Sequence, residues 1–306
     1  MFSLFKKNKI LEILPKVKGK YLTDVPMSRH TWFGVGGPAE VMFIPQDVAD
    51  LQNFIRNRPR NVPIFLIGGG SNLLVRDGGI PGVVIKLDSP EFKKVTVNGD
   101  TITCGAGLAN IDLKKHLLNN RLSGLEFLCS IPGVIGGSVK TNAGCFGREV
   151  KDVIESAIII NGNGEIKNIY NKDLKLGYRS SCFPEDWIVL SITFAVKPDN
   201  RENIEKILNE QKIYRQEHQP YNQKTAGSTF KNPQGLRAWE LIKKSECDNL
   251  TFGGAKVSDK HCNFLINTGN ATAKDIETLG EMIIARVKQK TFITLEWEIK
   301  KVGIEK

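Results

Sequence analysis

Ile64-Phe65-Leu66-Ile67-Gly68-Gly69-Gly70-Ser71-Asn72-Leu73-Leu74-Val75-Arg76 is the stretch on which the fold turns. Two short apolar runs flank five residues without bulk, so the pattern is strand, corner, strand, with strands expected over 63–67 and 73–76. A dinucleotide-binding GxGxxG needs a long helix directly after its glycines, and no helical periodicity follows here. The glycines answer another demand. Consecutive glycines let several main-chain N–H groups face one concavity, where a pyrophosphate fits without side-chain obstruction and Ser71 and Asn72 add polar contacts. An ordinary tight β-turn is the competing reading of this stretch taken alone.

Upstream, residues 39–44 read as a strand, and Asp47 can cap a helix whose Val48, Leu51 and Ile55 share one face. Downstream, a turn over 77–82 (DGGIPG) leads to a strand over 83–87, which closes a glycine-rich α+β unit near Ser89. Strands at 95–97 and 101–104 flank Asn98-Gly99-Asp100, a hairpin signal. A helix over 111–118, a second hairpin joining 157–160 to 166–169 through NGNG, and a strand over 188–196 complete a second unit ending near Pro198. A charged helix over 202–217 opens a third stretch, and a helix over 273–290 ends it with Ile276, Leu279, Ile283 and Val287 as an apolar stripe. The tail FITLEWEIKKV (292–302) alternates as a strand would, Leu295, Trp297 and Ile299 on one face, Glu296, Glu298 and Lys300 on the other. The expected division is therefore 1–88, 89–199, 200–290 and a closing strand in 291–306.

The chain has 306 residues, 41% of them hydrophobic and 25% charged, which suits a folded multi-unit protein and excludes a disordered or collagen-like one. A net charge of +10 favours anionic partners without choosing among phosphates, nucleotides, nucleic acid and acidic lipid. The lysines are spread along the chain with no aromatic-interleaved basic stripe, so no nucleic-acid partner is expected. No apolar run reaches membrane-spanning length, and lysines break the opening MFSLFKKNKILEIL before a signal-peptide core forms; a cytoplasmic protein with no membrane insertion is expected. Cysteines at 104, 129, 145, 182, 247 and 262 form no CxxC pair, and histidines at 30, 116, 218 and 261 are equally scattered. Reduced thiols and no structural metal follow.

Glycine-rich strings recur at 32–38, 68–72, 131–137 and 142–147. Backbone lying close to a large ligand along its length produces such a pattern, and a flavin dinucleotide has two phosphates and two ring systems to be lined. A helix starting within 133–137 can also aim N–H groups at phosphate.

Seven strings in order, TWFGVGGPAE (31–40), GGGSNLLV (68–75), IPGVIGGSVKTNAG (131–144), GYRSSCF (177–183), AGSTFKNP (226–233), GGAKVSDKHCNFLIN (253–267) and LEWEIK (295–300), make the chain resemble a known family over nearly its whole length. It is that of the reductases converting UDP-N-acetylglucosamine enolpyruvate to UDP-N-acetylmuramate in peptidoglycan synthesis. The resemblance implies an α+β architecture: a two-subdomain FAD-binding fold of the vanillyl-alcohol-oxidase/PCMH type, with a C-terminal α/β substrate-binding domain. It implies non-covalent FAD, NADPH as co-substrate, a UDP-sugar as substrate and a monomer. Family members differ in an extra tyrosine-bearing loop; no spare insertion separates Pro198 from Ser228, so the shorter form is expected.

Hydride addition to an enol ether conjugated to a carboxylate requires a cation to stabilise the developing negative charge, an acid to protonate the neighbouring carbon, and a hydride source. No amino-acid side chain supplies hydride; a reduced flavin does. By resemblance, Arg179 faces the enolpyruvyl carboxylate, where a planar, permanently charged fork suits bidentate contact. Ser228 matches the proton donor and Glu298 the carboxylate beside the developing charge. Period-two geometry puts Glu296 on the same face as Glu298, so spacing alone leaves the two open and only the resemblance selects Glu298. The cofactor residues it implies are Gly36, Gly68, Gly69, Gly70, Ser71, Asn72, Pro132, Gly133, Gly136, Gly137, Asn142 and Gly144. Tyr178, Arg179, Lys231, Asn232 and His261 are implied for the substrate. Lys140-Thr141 and Cys262 depart from the residues the family leads one to expect at those places. Bland readings stand beside these: a loop arginine, a capping serine, a solvated strand glutamate. A flavin oxidase on the same scaffold is a second enzymatic reading, but its tethering histidine is absent from GGGSN. His30 reads as structural.

Overall fold

The computed structural model describes residues 10–181 and 183–306. The basic opening of the chain and Cys182 lie outside the described residues. The chain is α+β and its described residues form two compact units, each drawn from three stretches: 10–23, 41–69 and 82–213 in the first, 24–40, 70–81 and 214–306 in the second. The units thus interleave along the chain, whereas the expected segments follow it in order.

Two sheets supply the strands of the first unit. One has the order Lys20–Pro26, Pro38–Ile44, Ile80–Lys86, Ile64–Ile67, of which residues 24–26, 38–40 and 80–81 count with the second unit, and its last pair is parallel with Val83 opposite Ile64. The helix Val48–Asn57 begins where expected, since the Asp47 carboxylate accepts the Asp50 N–H at 2.8 Å. Its Leu51, Phe54 and Ile55 are buried, and the Phe43 and Phe54 rings lie 4.6 Å apart. The strand Ile80–Lys86 starts inside the expected DGGIPG turn. Gly82 allows this: at φ 80° and with Pro63 O only 2.3 Å from where a Cβ would sit, no other residue fits there.

The second sheet is antiparallel throughout, in the order Ile166–Tyr170, Ile154–Ile160, Ile188–Ala195, Thr101–Gly105, Val95–Asn98. Both expected hairpins are present: Asn98 pairs with Thr101 across a two-residue loop, and Ile160 with Ile166 across the NGNG connection. The helix Asn110–Asn120 buries Leu113 and Leu117, and the short helix Ile135–Lys140 begins within the third glycine string. One apolar core running from Leu14 to Leu208 joins these elements.

The second unit has its own core, in which Phe33, Val35 and Leu74 pack with Phe230, Leu265 and the stripe Ile276, Leu279, Ile283 and Val287. That stripe belongs to the helix Ala273–Thr291, whose start carries a reciprocal cap between Thr272 and Asp275. Thr251–Phe252, Ala255–Val257 and Leu265–Asn267 form a small antiparallel sheet. The tail departs from expectation. Leu295 and Ile299 are each only 2% exposed, as the alternation foretold, but the regular strand is Lys300–Val302 alone, parallel to Leu73–Val75. Residues 293–299 instead bond singly to neighbouring loops, because the segments beside them are loops and present no continuous ladder.

The described cysteines 104, 129, 145, 247 and 262 are free thiols, and no cluster of three metal-ligating side chains occurs among the described residues. Among those residues no helix is long and apolar enough to cross a membrane.

Candidate functional site

In the second unit, Thr229 organises the residues expected to carry chemistry. It is fully buried; its N–H donates to Asn263 O at 2.7 Å and its Oγ1 accepts the Leu265 N–H at 3.2 Å. Its carbonyl accepts the Glu298 N–H at 2.8 Å. Ser228, next in the chain, is half-buried and bridges to Phe264. These bonds bring Ser228 and Glu298, two of the three expected catalytic residues, onto adjacent segments. Gly227, at φ 84°, has no atom within 4 Å of the place a Cβ would take, so space is open beside Ser228.

Asn263 is the partner that sequence reasoning missed, although it stands inside a quoted string. Only 4% exposed, it accepts the Phe230 N–H on Oδ1 at 3.0 Å and donates Nδ2 to Phe230 O at 2.9 Å. A side-chain amide has the donor and acceptor needed to replace one rung of a β-ladder, and Asn263 does so here. Its N–H also donates to His261 Nδ1 at 3.2 Å, which makes Nδ1 the acceptor and leaves Nε2 protonated. Burial lowers the His261 pKa, favouring the neutral ring.

Glu296 and Glu298, inseparable by spacing, have different surroundings. Glu296 is exposed and its Oε2 lies 3.3 Å from Lys231 Nζ, a surface ion pair, while Glu298 is half-buried. Asn232 Oδ1 accepts the Ala238 N–H at 3.0 Å and so satisfies the first main-chain donor of the helix Ala238–Lys244. The corner residue Gly70 accepts the Trp32 N–H at 3.0 Å, and a Cβ on it would lie 1.8 Å from His30 O. A Cβ on Gly36 would lie 2.8 Å from that of Val75.

In the first unit the glycines also meet protein. A Cβ on Gly69 would lie 2.7 Å from Gly133 Cα, one on Gly68 2.9 Å from Val134 Cγ2, and one on Gly136 2.9 Å from Ala106 Cβ. Two loops are thereby stacked main chain on main chain. The start of the helix Ile135–Lys140 is less open to an anion than its glycines suggested, since Ile135 N–H donates to Leu108 O and Gly136 N–H to Ala106 O, each at 2.9 Å. Gly137 is different: the nearest atom to its Cβ position is 3.9 Å away. Buried Asn110 ties this loop down, donating its N–H to Gly133 O at 3.0 Å and its Nδ2 to Ile131 O at 3.0 Å and Ser138 Oγ at 2.8 Å.

Asn142 is fully buried at φ 43° and its carboxamide is taken up by protein. Nδ2 donates to Glu149 Oε2 at 3.1 Å and Gly177 O at 2.8 Å, and Oδ1 accepts the Lys151 N–H at 2.9 Å. Gly177 opens a tight turn, bonded reciprocally to Ser180, with Tyr178 and Arg179 at its tip. Arg179 adopts φ 50°, its Nη2 donates to Gly144 O at 3.1 Å, and its guanidinium lies 5.2 Å from the Tyr178 ring centre. Asn142, Gly144, Tyr178 and Arg179 are thus one local construction.

FAD fits these residues on three observations. Gly69 and Gly133 meet main chain to main chain, Gly137 borders open space, and no acceptor among the described residues takes the Gly69 N–H. Unfilled donors beside bare backbone are what a pyrophosphate requires.

Two family models match the chain, one described as FAD binding domain over residues 39–170 and one as UDP-N-acetylenolpyruvoylglucosamine reductase, C-terminal domain, over residues 219–302. A UDP-N-acetylenolpyruvoylglucosamine reductase from Paramagnetospirillum magneticum is 46% identical over 295 residues, 96% of either chain. One from Rhodospirillum rubrum is 44% identical over 309 residues, covering 99% of this chain and 97% of its own. The crystal structure of the UDP-N-acetylenolpyruvylglucosamine reductase from Thermus caldophilus superposes with a TM-score of 0.81 at 32% identity, covering 94% of this chain and 100% of that one.

Proposed function

This chain belongs to the UDP-N-acetylenolpyruvoylglucosamine reductase family, and from that premise we propose that Arg179, Glu298 and Ser228 reduce UDP-N-acetylglucosamine enolpyruvate with electrons from NADPH. The protein is an FAD-dependent oxidoreductase of the UDP-N-acetylmuramate dehydrogenase class, and its reaction belongs to peptidoglycan precursor synthesis.

The observation that carries the proposal is the Glu298 N–H to Thr229 O bond of 2.8 Å, which sets the proposed carboxylate beside the segment bearing the proposed acid. Bound FAD, reduced by NADPH, would supply the hydride that the terminal enolpyruvyl carbon requires. Arg179 holds the enolpyruvyl carboxylate, and its charge stabilises the negative charge that develops there. Ser228 gives its Oγ proton to the neighbouring carbon. A serine is a poor acid in water, so its half-buried position supports the role, and the open space beside Gly227 leaves room for the substrate to reach it. Glu298 orients the developing enolate or relays the proton.

Gly36, Gly68, Gly69, Gly70, Ser71, Asn72, Pro132, Gly133, Gly136, Gly137, Asn142 and Gly144 would shape and line the FAD site. Tyr178, Lys231, Asn232 and His261 contact the UDP-sugar, His261 as a neutral donor through Nε2. The protein works as a cytoplasmic monomer of the shorter family form, with 89–199 as the second FAD-holding subdomain and 291–306 completing the site.

Ser228→Ala tests the assignment. The variant still allows NADPH to reduce the flavin but blocks its reoxidation by the enolpyruvyl substrate, read by stopped-flow absorbance; normal turnover removes Ser228 from the reaction.

A further inference from the structure

The Asn72 side chain does not serve the glycine corner it belongs to. Its Nδ2 donates to Glu298 O at 3.1 Å. Its own carbonyl accepts the Lys300 N–H at 3.1 Å, and from there the tail runs in parallel register with Leu73–Val75. Glu298 is thus gripped on both sides, its N–H by Thr229 O and its carbonyl by Asn72. Peptide groups are planar, so fixing the plane before a residue and the plane after it fixes φ and ψ, and with them the direction of Cα–Cβ. The neighbouring side chains do not do this. Trp297 lies against Phe230 with ring centres 5.3 Å apart and donates Nε1 to Glu281 at 2.9 Å, while Ile299 is buried in the core. These anchor the tail as a whole, while the peptide following Glu298 is held by a long bond from Ile299 N–H to Thr229 O, 3.5 Å, and by the shorter one from the Asn72 amide to its carbonyl.

We infer that Asn72 is a positioning residue: by holding the Glu298–Ile299 peptide it sets the direction in which the Glu298 carboxylate is presented to substrate. The inference rests on the reading of Glu298 as a participant in the reaction; the tether itself does not. It joins the glycine corner to the acid end of the site in one side chain, and it explains why a residue with an amide donor, rather than any small polar residue, follows Ser71.

Three variants and two readouts decide it. Asn72→Ala removes the tether, Asn72→Asp keeps its shape but sets an acceptor against the Glu298 carbonyl, and Asn72→Gln keeps the donor on a longer stem. In the protein without FAD, hydrogen exchange at the Ile299 amide, the N–H of the tethered peptide, is expected to quicken roughly tenfold in the Ala and Asp variants and less in Gln. In the FAD-loaded protein, reoxidation by the enolpyruvyl substrate is expected to slow at least ~10-fold more than reduction by NADPH in the Ala and Asp variants, since misplacing a reacting group is costly. Gln should recover part of that loss. Unchanged exchange, full activity in Asn72→Asp, or a loss confined to FAD affinity would each overturn the inference, the last by making Asn72 a cofactor ligand. Glu298→Gln is the control: if it turns over normally, the reading of Glu298 fails and the positioning role with it, while the exchange data still report on the tether.

Discussion

Asn263 shows how much a single buried amide can govern. Replacing it with Ala strands the N–H and carbonyl of Phe230, two main-chain groups at a residue only 1% exposed. Leaving each unpaired costs on the order of 1–3 kcal/mol. Asn263→Ala is therefore expected to lower unfolding stability by about 2–4 kcal/mol in a urea titration and to slow turnover by loosening Ser228; a loss under 0.5 kcal/mol would show that the amide is replaceable. Glu277 is a second test at this scale. Arg76 grips it with Nε to Oε2 at 3.0 Å and Nη2 to Oε1 at 2.9 Å. Those bonds, aided by Lys301 and opposed by burial, hold its pKa below the usual glutamate value. A carboxylate whose pKa is lowered by folding stabilises the native state above its unfolded pKa of ~4.3 and loses that contribution as pH falls through the folded value. The native protein should thus lose about 1 kcal/mol more than Glu277→Gln between pH ~5 and pH ~3, an amount discounted for the partial exposure of Arg76. Parallel pH curves for the two proteins would contradict this.

The long helix Ala273–Thr291 carries two substitutions whose signs run against simple propensity. Gly280 lies in its middle, and Ala there would ordinarily gain about 1 kcal/mol. Here an added Cβ would lie 2.2 Å from the Trp297 ring, so Gly280→Ala should lower the melting temperature by displacing the tail next to Glu298. Phe292 ends the helix at φ 62° with its side chain 92% exposed. Phe292→Gly should stabilise by about 0.5–1 kcal/mol, because glycine adopts that conformation freely; a lower melting temperature would show that the ring has a hidden contact. Elements with internal periodicity were legible in the sequence: the Asp47 cap, both hairpins and the apolar stripe of this helix all stand where residue pattern puts them. The tail was half legible. Alternation told which of its side chains are buried, Leu295 and Ile299, but not that its main chain would find loops rather than a strand for most of its length. The glycine strings have a reason beyond ligand contact, since most of those glycines admit neighbouring protein, side chain or main chain, first. Thr229, Asn263 and the engaged carboxamides of Asn72 and Asn142 were not legible, because their roles lie in which distant backbone they meet.

On the scale of the whole molecule, two units with separate cores are built from interleaved segments, and the family they belong to is defined over both. A ligand that binds only the folded state stabilises it by about 2.7 kcal/mol at a hundred times its dissociation constant. Saturating FAD should accordingly raise the melting temperature by roughly 5 °C, and acid precipitation should release the flavin into the supernatant. Flavin retained in the pellet would favour the oxidase reading. The most direct test of the account is a single turnover without oxygen. The FAD-loaded protein is reduced by one equivalent of NADPH, freed of NADP⁺, and mixed with UDP-N-acetylglucosamine enolpyruvate while the flavin absorbance near ~450 nm is followed. Full recovery of that absorbance with one UDP-N-acetylmuramate formed per flavin is the predicted result; a flavin that stays reduced in the presence of the substrate contradicts it.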